Sequence, residues 1–248
     1  MINPENITFE KIGCIAVIKL NNPPQNFIKT PAFVSREFLQ DIADKEDIKG
    51  IVITGMGRHF SAGADLSTVF TMAKNLKNLT EQMQTGKDLL EFISFLPLPV
   101  VAAINGVCWG GGLEIALACH VRFASVKSLF AFPEVNNNLM PGLGGIYRMV
   151  QKTGTAQSLT ILLSGDTFNA EKARELHVVD ETTDENVLEY SIQYLNNLVE
   201  SKPKKVISSI MTAIHNVKKL DLHEALHEET RLFCELALSE GSNRRNSR

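Results

Sequence analysis

Three consecutive glycines, Gly110-Gly111-Gly112, stand between the apolar run Val100-Val101-Ala102-Ala103-Ile104 and a second apolar stretch that carries one carboxylate, Glu114. A short run of this kind suits a buried strand. Glycines at its exit let backbone N–H groups approach a ligand closely before a helix begins near Gly111. Such a turn can build an oxyanion site. A second carboxylate, Glu134 in Phe132-Pro133-Glu134, follows after one further strand, again in company too apolar for an ordinary surface glutamate. Two carboxylates returning to one cleft can move a proton and a water. The bland alternatives are a first-turn Glu114 favoured only by the helix dipole and a solvated Pro-Glu loop.

The rest of the chain alternates strand and helix patterns. Residues 7–11 and 14–20 flank Ile12-Gly13 as a hairpin, residues 33–43 have helical spacing, and 50–54 form a short apolar strand ended by Gly55. A glycine-bearing loop follows at 57–65. The polar stretch 66–84 reads as a mobile flap over a site. A helix over 89–96 stops at Pro97-Leu98-Pro99, and a strand at 121–124 follows the helix at 111–119. This order predicts an α/β protein with several parallel strands, and both glycine-bearing loops lie at the carboxyl ends of strands, where ligands bind. Helices are expected at 156–163, 170–176, 186–199, 204–217 and 222–238. The expected division is a core over 1–195 and a helical region over 196–248, whose surplus apolar residues call for packing on the core or on another subunit. The polar tail from 240 to 248 is expected to fray.

Several function classes are disfavoured. With 248 residues, 44% hydrophobic, the chain can bury a substantial core, and a net charge of −3 provides no global positive field for nucleic acid or anionic lipid. No run approaches the ~18 apolar residues of a membrane span, and residues 1–6 lack a basic region leading into an apolar core. The four cysteines show no Cys-x-x-Cys spacing and read as reduced, mostly buried thiols, so the cytoplasm is the expected address. Neither a dinucleotide fingerprint nor a phosphate loop is present. His223-Glu224-Ala225-Leu226-His227 does satisfy the His-Glu-x-x-His pattern of zinc hydrolases. Its neighbours Asp221, Glu228 and Glu229 instead describe a solvated, capped helix with little chain left to supply a third ligand, so no metal is expected. His120 is read as a structural hydrogen-bonding residue, with a pH-sensitive contact as the alternative. Trp109 is expected in the core or against a pocket.

Taken together, Arg58-His59-Phe60-Ser61-Ala62-Gly63-Ala64-Asp65-Leu66, the segment from Asn105-Gly106 through Gly110-Gly111-Gly112-Leu113-Glu114 to Cys119, and Pro133-Glu134-Val135 with Pro141-Gly142-Leu143-Gly144-Gly145 resemble the crotonase superfamily of enoyl-CoA hydratases and isomerases. The resemblance implies a spiral of ββα units followed by helices that mediate trimerisation, as a homotrimer or a dimer of trimers. It also implies an acyl-CoA thioester substrate and no separate cofactor. Oxyanion donors fall on the backbone N–H groups of Ala64 and Gly111, and contacts to coenzyme A on Asn26, Phe27, Ala62, Ala64, Asp65, Leu66 and Gly111. Glu114 and Glu134 fill both glutamate positions of the hydratase branch, whereas isomerases often keep one. A non-catalytic acyl-CoA-binding module is the alternative from another class. Departures from the family pattern are Asn137-Asn138, where an apolar-Gly pair is usual, Ile146-Tyr147, where Thr-Gln is common, and the closing segment 242–248.

Overall fold

The computed structural model describes residues 6–246. Among them the strands are β1 (Ile7–Ile12), β2 (Ile15–Leu20), β3 (Gly50–Gly55), β4 (Val100–Ile104), β5 (Val107–Trp109), β6 (Val121–Ser125), β7 (Leu129–Ala131), β8 (Phe168–Asn169) and β9 (Glu181–Thr183). The main sheet has the order β1-β2-β3-β4-β6-β9. Only the β1–β2 hairpin is antiparallel; β3 and β4 run parallel in the centre, with Ile53 opposite Ala102. Every residue of β3 and β4 is buried. That explains the near-continuous apolar runs Ile51–Ile53 and Val100–Ile104, since strands covered on both faces need no polar alternation, and the one hydroxyl among them, that of Thr54, donates to the Ala103 carbonyl. A smaller sheet, β5-β7-β8, stands beside it, and an isolated bridge from Ser61 to Cys108 ties the loop after β3 to β5.

The helices are α1 (Arg36–Asp44), α2 (Leu66–Met72), α3 (Leu76–Ser94), α4 (Gly111–Ala118), α5 (Gly145–Ser164), α6 (Ala170–Glu175), α7 (Val187–Val199), α8 (Lys204–Lys219) and α9 (Leu222–Asn246). The stretch 66–84, read as a flap, consists of α2 and the start of α3. Asp65 caps the first by accepting from the Ser67 and Thr68 N–H groups, and Asn75 caps the second by accepting from Asn78. Local capping, which a weak apolar stripe does not reveal, decides that stretch. The expected helix at 89–96 is the buried end of α3, where Gly86, Leu89, Leu90 and Ile93 meet the core. The four shortest strands, β5, β7, β8 and β9, were not anticipated, being too brief to establish a period. Instead of fraying at 240, α9 continues to Asn246; residues 1–5 and 247–248 lie outside the described residues. All four cysteines are free, but only Cys108 and Cys119 are buried, while Cys14 is half-buried and Cys234 exposed. No helix among the described residues is long and apolar enough to cross a membrane.

Helix α8 is apolar on two faces. Ile207, Met211 and His215 turn inward, whereas Ile210, Ile214 and Val217 are exposed, as are Leu222, Leu226 and Phe233 along α9. His215 meets His120 at the foot of β6, with Nε2 to Nε2 at 3.1 Å and the rings stacked. The Val100 N–H donates to His120 Nδ1 at 2.9 Å, so Nδ1 carries no proton and the neutral ring keeps its proton on Nε2, facing His215 and the Ser94 carbonyl. His120 thus makes the structural hydrogen bond expected from the sequence, and its contact with His215 is also the kind that responds to pH.

Burial, reinforced by the neighbouring His215, pushes the His120 pKa down to about 4; burial with Lys218 and Lys219 does the same for His215. Both folded values lie below the ordinary 6.5. The unfolded chain therefore binds more protons in that window, and stability is lost as pH falls from about 6.5 towards 4. The melting temperature is expected to drop between pH 7.5 and 4.5, and less in H215F, which keeps a ring against Phe95 but removes one titrating partner. An H215F acid limb as steep as the parent's would refute this assignment.

Candidate active site

The site gathers at the start of α4. All eight residues of this helix, Gly111 to Ala118, are buried, and Glu114 is only 2% exposed. A carboxylate this deep needs hydrogen bonds to offset its lost hydration. They come from the beginning of a different helix: Glu114 Oε1 accepts from the Leu143 N–H at 2.6 Å and from the Gly145 N–H at 2.8 Å. Thus the dipole that favours Glu114 includes that of α5, whose first residue is Gly145. Burial still raises the Glu114 pKa, opposed by those N–H groups and by the charge of Arg148.

Glu134 lies on the short 3-10 turn Pro133–Asn137 after β7. It rests against Gly110, where a Cβ would stand 2.7 Å from Glu134 Oε1, and Gly110 has φ +49, so both space and backbone call for glycine there. Glu134 Oε2 is buried without a hydrogen-bond partner. Burial drives its pKa up to about 7, its own backbone N–H pulls the other way, and the Glu114 charge raises it further. The two carboxylates therefore differ. One is held by two N–H donors, and the other has an oxygen free of any; a single proton shared by the pair belongs on Glu134.

Two further N–H groups converge beside them. A Cβ built on Gly111 would lie 3.7 Å from the Ala64 nitrogen, and one on Gly63 would lie 3.5 Å from the Gly111 nitrogen. Gly111 opens α4, so its N–H has no partner within the helix. At the bridge between Ile28 and Ala64, the bonds are made by the N–H groups of Ile28 and Asp65, at 2.9 and 3.0 Å, leaving that of Ala64 outside the pairing. Gly112 permits this approach, because a Cβ there would meet the Ser61 side chain at 2.7 Å.

The structure thus brings Ala64, Gly111, Glu114 and Glu134 together. The remaining residues named from the sequence form the frame around them. Asn26 is buried, and its side chain is spent internally, accepting from the Asn22 N–H and donating to the Met56 and His59 carbonyls. Its own carbonyl accepts from Ser61 Oγ at 2.8 Å, which anchors the loop leading to Ala64. Phe27 is 38% exposed, Ala62 and Leu66 are half-buried, and the Asp65 carboxylate caps α2. Asn138, one of the departures, has φ +55 at the end of the 3-10 turn, a conformation asparagine tolerates better than most residues. Trp109 is half-buried, with its indole N–H enclosed and unpartnered. Sequence reading missed the roles of Leu143, Gly145 and Gly110; the glycines of 142–145 were the available signal.

Away from this site, His223 and His227 are exposed on α9, and Glu224 forms a reciprocal cap with Asp221. No three His, Cys, Asp or Glu side chains come together as a metal cluster among the described residues.

Residues 10–245 match the enoyl-CoA hydratase/isomerase family. A probable enoyl-CoA hydratase of Bacillus subtilis is 31% identical over 229 residues, covering 91% of this chain and 88% of that protein. Among solved structures, enoyl-CoA hydratase subunit I of Geobacillus kaustophilus superposes with a TM-score of 0.83 at 30% identity, over 96% of this chain and 92% of the other. An enoyl-CoA hydratase of Bacillus anthracis gives 0.83 at 27% identity, over 92% and 90%. The architecture is therefore the crotonase fold expected from the motifs.

A Glu134 pKa near 7, above the ordinary 4.5, means that the native state binds more protons than the unfolded chain between those values, so stability falls as pH rises through them. E134Q is expected to be more stable than the parent by ~3 kcal/mol at pH 8, with the difference nearly vanishing by pH 4.5. Chemical denaturation at both pH values checks this. Equal stabilities at pH 8 would contradict a desolvated Glu134.

Proposed function

The chain belongs to the enoyl-CoA hydratase/isomerase family, and on that premise we propose that it adds water across the 2,3 double bond of an enoyl-CoA thioester. The observation that carries this reading is the unequal carboxylate pair: Glu114 with two N–H donors and Glu134 with a buried, unpartnered oxygen. Glu114 takes a proton from water as its oxygen bonds C3. The π electrons move through C2 into the thioester carbonyl, and the resulting enolate oxygen is received by the N–H groups of Ala64 and Gly111. Protonation of C2 by Glu134 restores the carbonyl, and the proton on Glu114 passes back to Glu134 through solvent. Each donor to the enolate oxygen contributes about 3 kcal/mol in comparable sites. The sequence is redox-neutral and draws only on side chains and backbone of this protein, so it needs no metal or separate cofactor.

The thioester's coenzyme A portion is assigned to the backbone of Ala62, Ala64, Asp65 and Leu66 with the neighbouring Asn26-Phe27 segment. In support, the Ala62 N–H donates to the Gln25 carbonyl at 2.8 Å, fixing these two loops side by side. Assembly as a trimer is supported by the exposed faces of α8 and α9, where Ile214, Val217 and Phe233 are at least half exposed, at 50%, 73% and 70%. Burying such a stripe against a second copy is a strong driving force for association.

Assays with 2-enoyl-CoA thioesters of increasing chain length are expected to show hydration, with E114Q and E134Q each lowering kcat by about 10²–10⁴-fold. Migration of a 3-enoyl double bond without hydration would replace this reading with the isomerase. Thioester binding without turnover, unchanged in the doubly substituted protein, would make the chain a binding module. Separately, sedimentation is expected to give a trimer or its dimer, and F233D to shift the population towards monomer; a monomeric parent protein would remove the assembly from the proposal.

A further inference from the structure

Glu114 is held by a turn, residues 142–145, in which three of the four residues are glycine. Glycine-rich chain is costly to order, yet here it must present two N–H groups to one oxygen. Successive peptide groups divide the work. The Leu143 N–H donates to Glu114 Oε1, the Leu143 carbonyl accepts from Arg148 Nη1 at 3.0 Å, and the Gly145 N–H returns to Glu114 Oε1. Arg148 is itself tied to the turn, since its backbone N–H donates to the Gly144 carbonyl at 3.1 Å. Its guanidinium lies against Gly144, where a Cβ would stand 2.5 Å from Nη1. The side chain is half-buried and thus restrained.

We propose that Arg148 is a positioning residue for the carboxylate pair: by fixing the Leu143 carbonyl and placing a permanent positive charge beside the turn, it keeps Glu114 the ionised member and leaves the proton to Glu134. The kinetic consequence rests on the hydratase reading above; the placement of charge does not. The charged and titratable groups around this pair are Glu134 on the 3-10 turn, Glu91 on α3, Cys119 after α4 and Tyr147 beside Arg148. Burial lowers the Arg148 pKa, and Glu114 is the largest influence raising it. Reciprocally, the charge of Arg148 counters the burial of Glu114. With the charge removed, both glutamates would compete for the same proton.

The test is a carboxyl-carbon NMR titration of protein labelled at glutamate, with the Glu114 signal assigned by its loss in E114Q. In R148M the Glu114 midpoint is expected to rise by about one pH unit or more, and R148K is expected to restore it to within about half a unit. Should R148M not fold, R148Q, which keeps a donor but no charge, is expected to raise the midpoint as well. With a hydratable 2-enoyl-CoA, R148M is expected to lower kcat at least about tenfold while KM stays within about twofold. An unmoved midpoint in R148M, even alongside a lower melting temperature, would reduce Arg148 to a structural role and overturn the proposal. So would an R148K midpoint displaced as far as that of R148M. If no variant and no parent protein hydrates any thioester, the hydratase reading fails while the titration still decides the role of Arg148.

Discussion

Burial of one carboxylate organises this molecule. Glu114 sits in a helix with no exposed residue, and an unpaired charge at such a depth would cost several kcal/mol. The offset comes from two N–H groups at the entrance to α5, which forces the chain to enter that helix through the turn at 142–145. Gly145 is packed against both Phe132 and Glu114, at 2.8 and 2.9 Å from where a Cβ would lie, so the turn, the 3-10 segment and α4 are mutually locked. From the other side, Ser61 meets Gly112 and brings the loop after β3 onto the same helix end. Segments far apart in the chain are thus placed by their need to reach one point at the mouth of α4.

This placement separates two residues of identical chemistry. Glu114 and Glu134 are both desolvated, and both have raised pKa values. What distinguishes them is hydrogen bonding: N–H donors favour the charged form, and an enclosed oxygen with no donor favours the neutral one. Pairs of carboxylates pushed apart in this way acquire separate acid and base roles without any change of side chain. The assignment of roles is therefore a property of the backbone around the pair, above all of the turn that faces Glu114.

How far this was legible from the residues depends on the length scale of each interaction. The strands β2, β3 and β4 and the hairpin could be read because a buried strand needs an apolar run, which Ile15 to Ile18 and Val100 to Ile104 supply. The strands β7 and β8 could not, since Leu129–Ala131 and Phe168–Asn169 are shorter than any period and acquire strand character only through their neighbours, β7 lying between β5 and β8. Helix α2 and the start of α3 were concealed for a related reason: they are announced by the caps Asp65 and Asn75 more than by an apolar face. In the site, Glu114 and Gly111 were readable because the glycine run and the apolar helix adjoin them. The donors to Glu114 lie 29 and 31 positions away, and the glycines flanking Leu143 mark a turn without saying which side chain it serves. The Asn26 side chain is bonded internally to Asn22, Met56 and His59, a role no local pattern announces. A buried amide satisfied on every side serves the loop that carries the site.

The titrating groups also act on the whole protein in opposite directions. Neutral His120 and His215 are required where α8 meets the core, so acid weakens that junction as pH falls below about 6.5. Glu134 is costly once ionised, so stability falls as pH rises from about 4.5 to about 7. Stability contributed by these groups is therefore greatest where the slopes meet, in the weakly acid to neutral range, which is also where Glu134 can both give and regain a proton. The two effects arise in different parts of the fold. The histidine pair bears on the attachment of the C-terminal helices, while the glutamate bears on the mouth of α4. A substitution relieving the second strain would widen the stable range on its alkaline side and remove the proton donor in the same step. The site's cost in stability and its capacity for acid–base chemistry thus have a single origin, the exclusion of water from one unpartnered carboxylate oxygen.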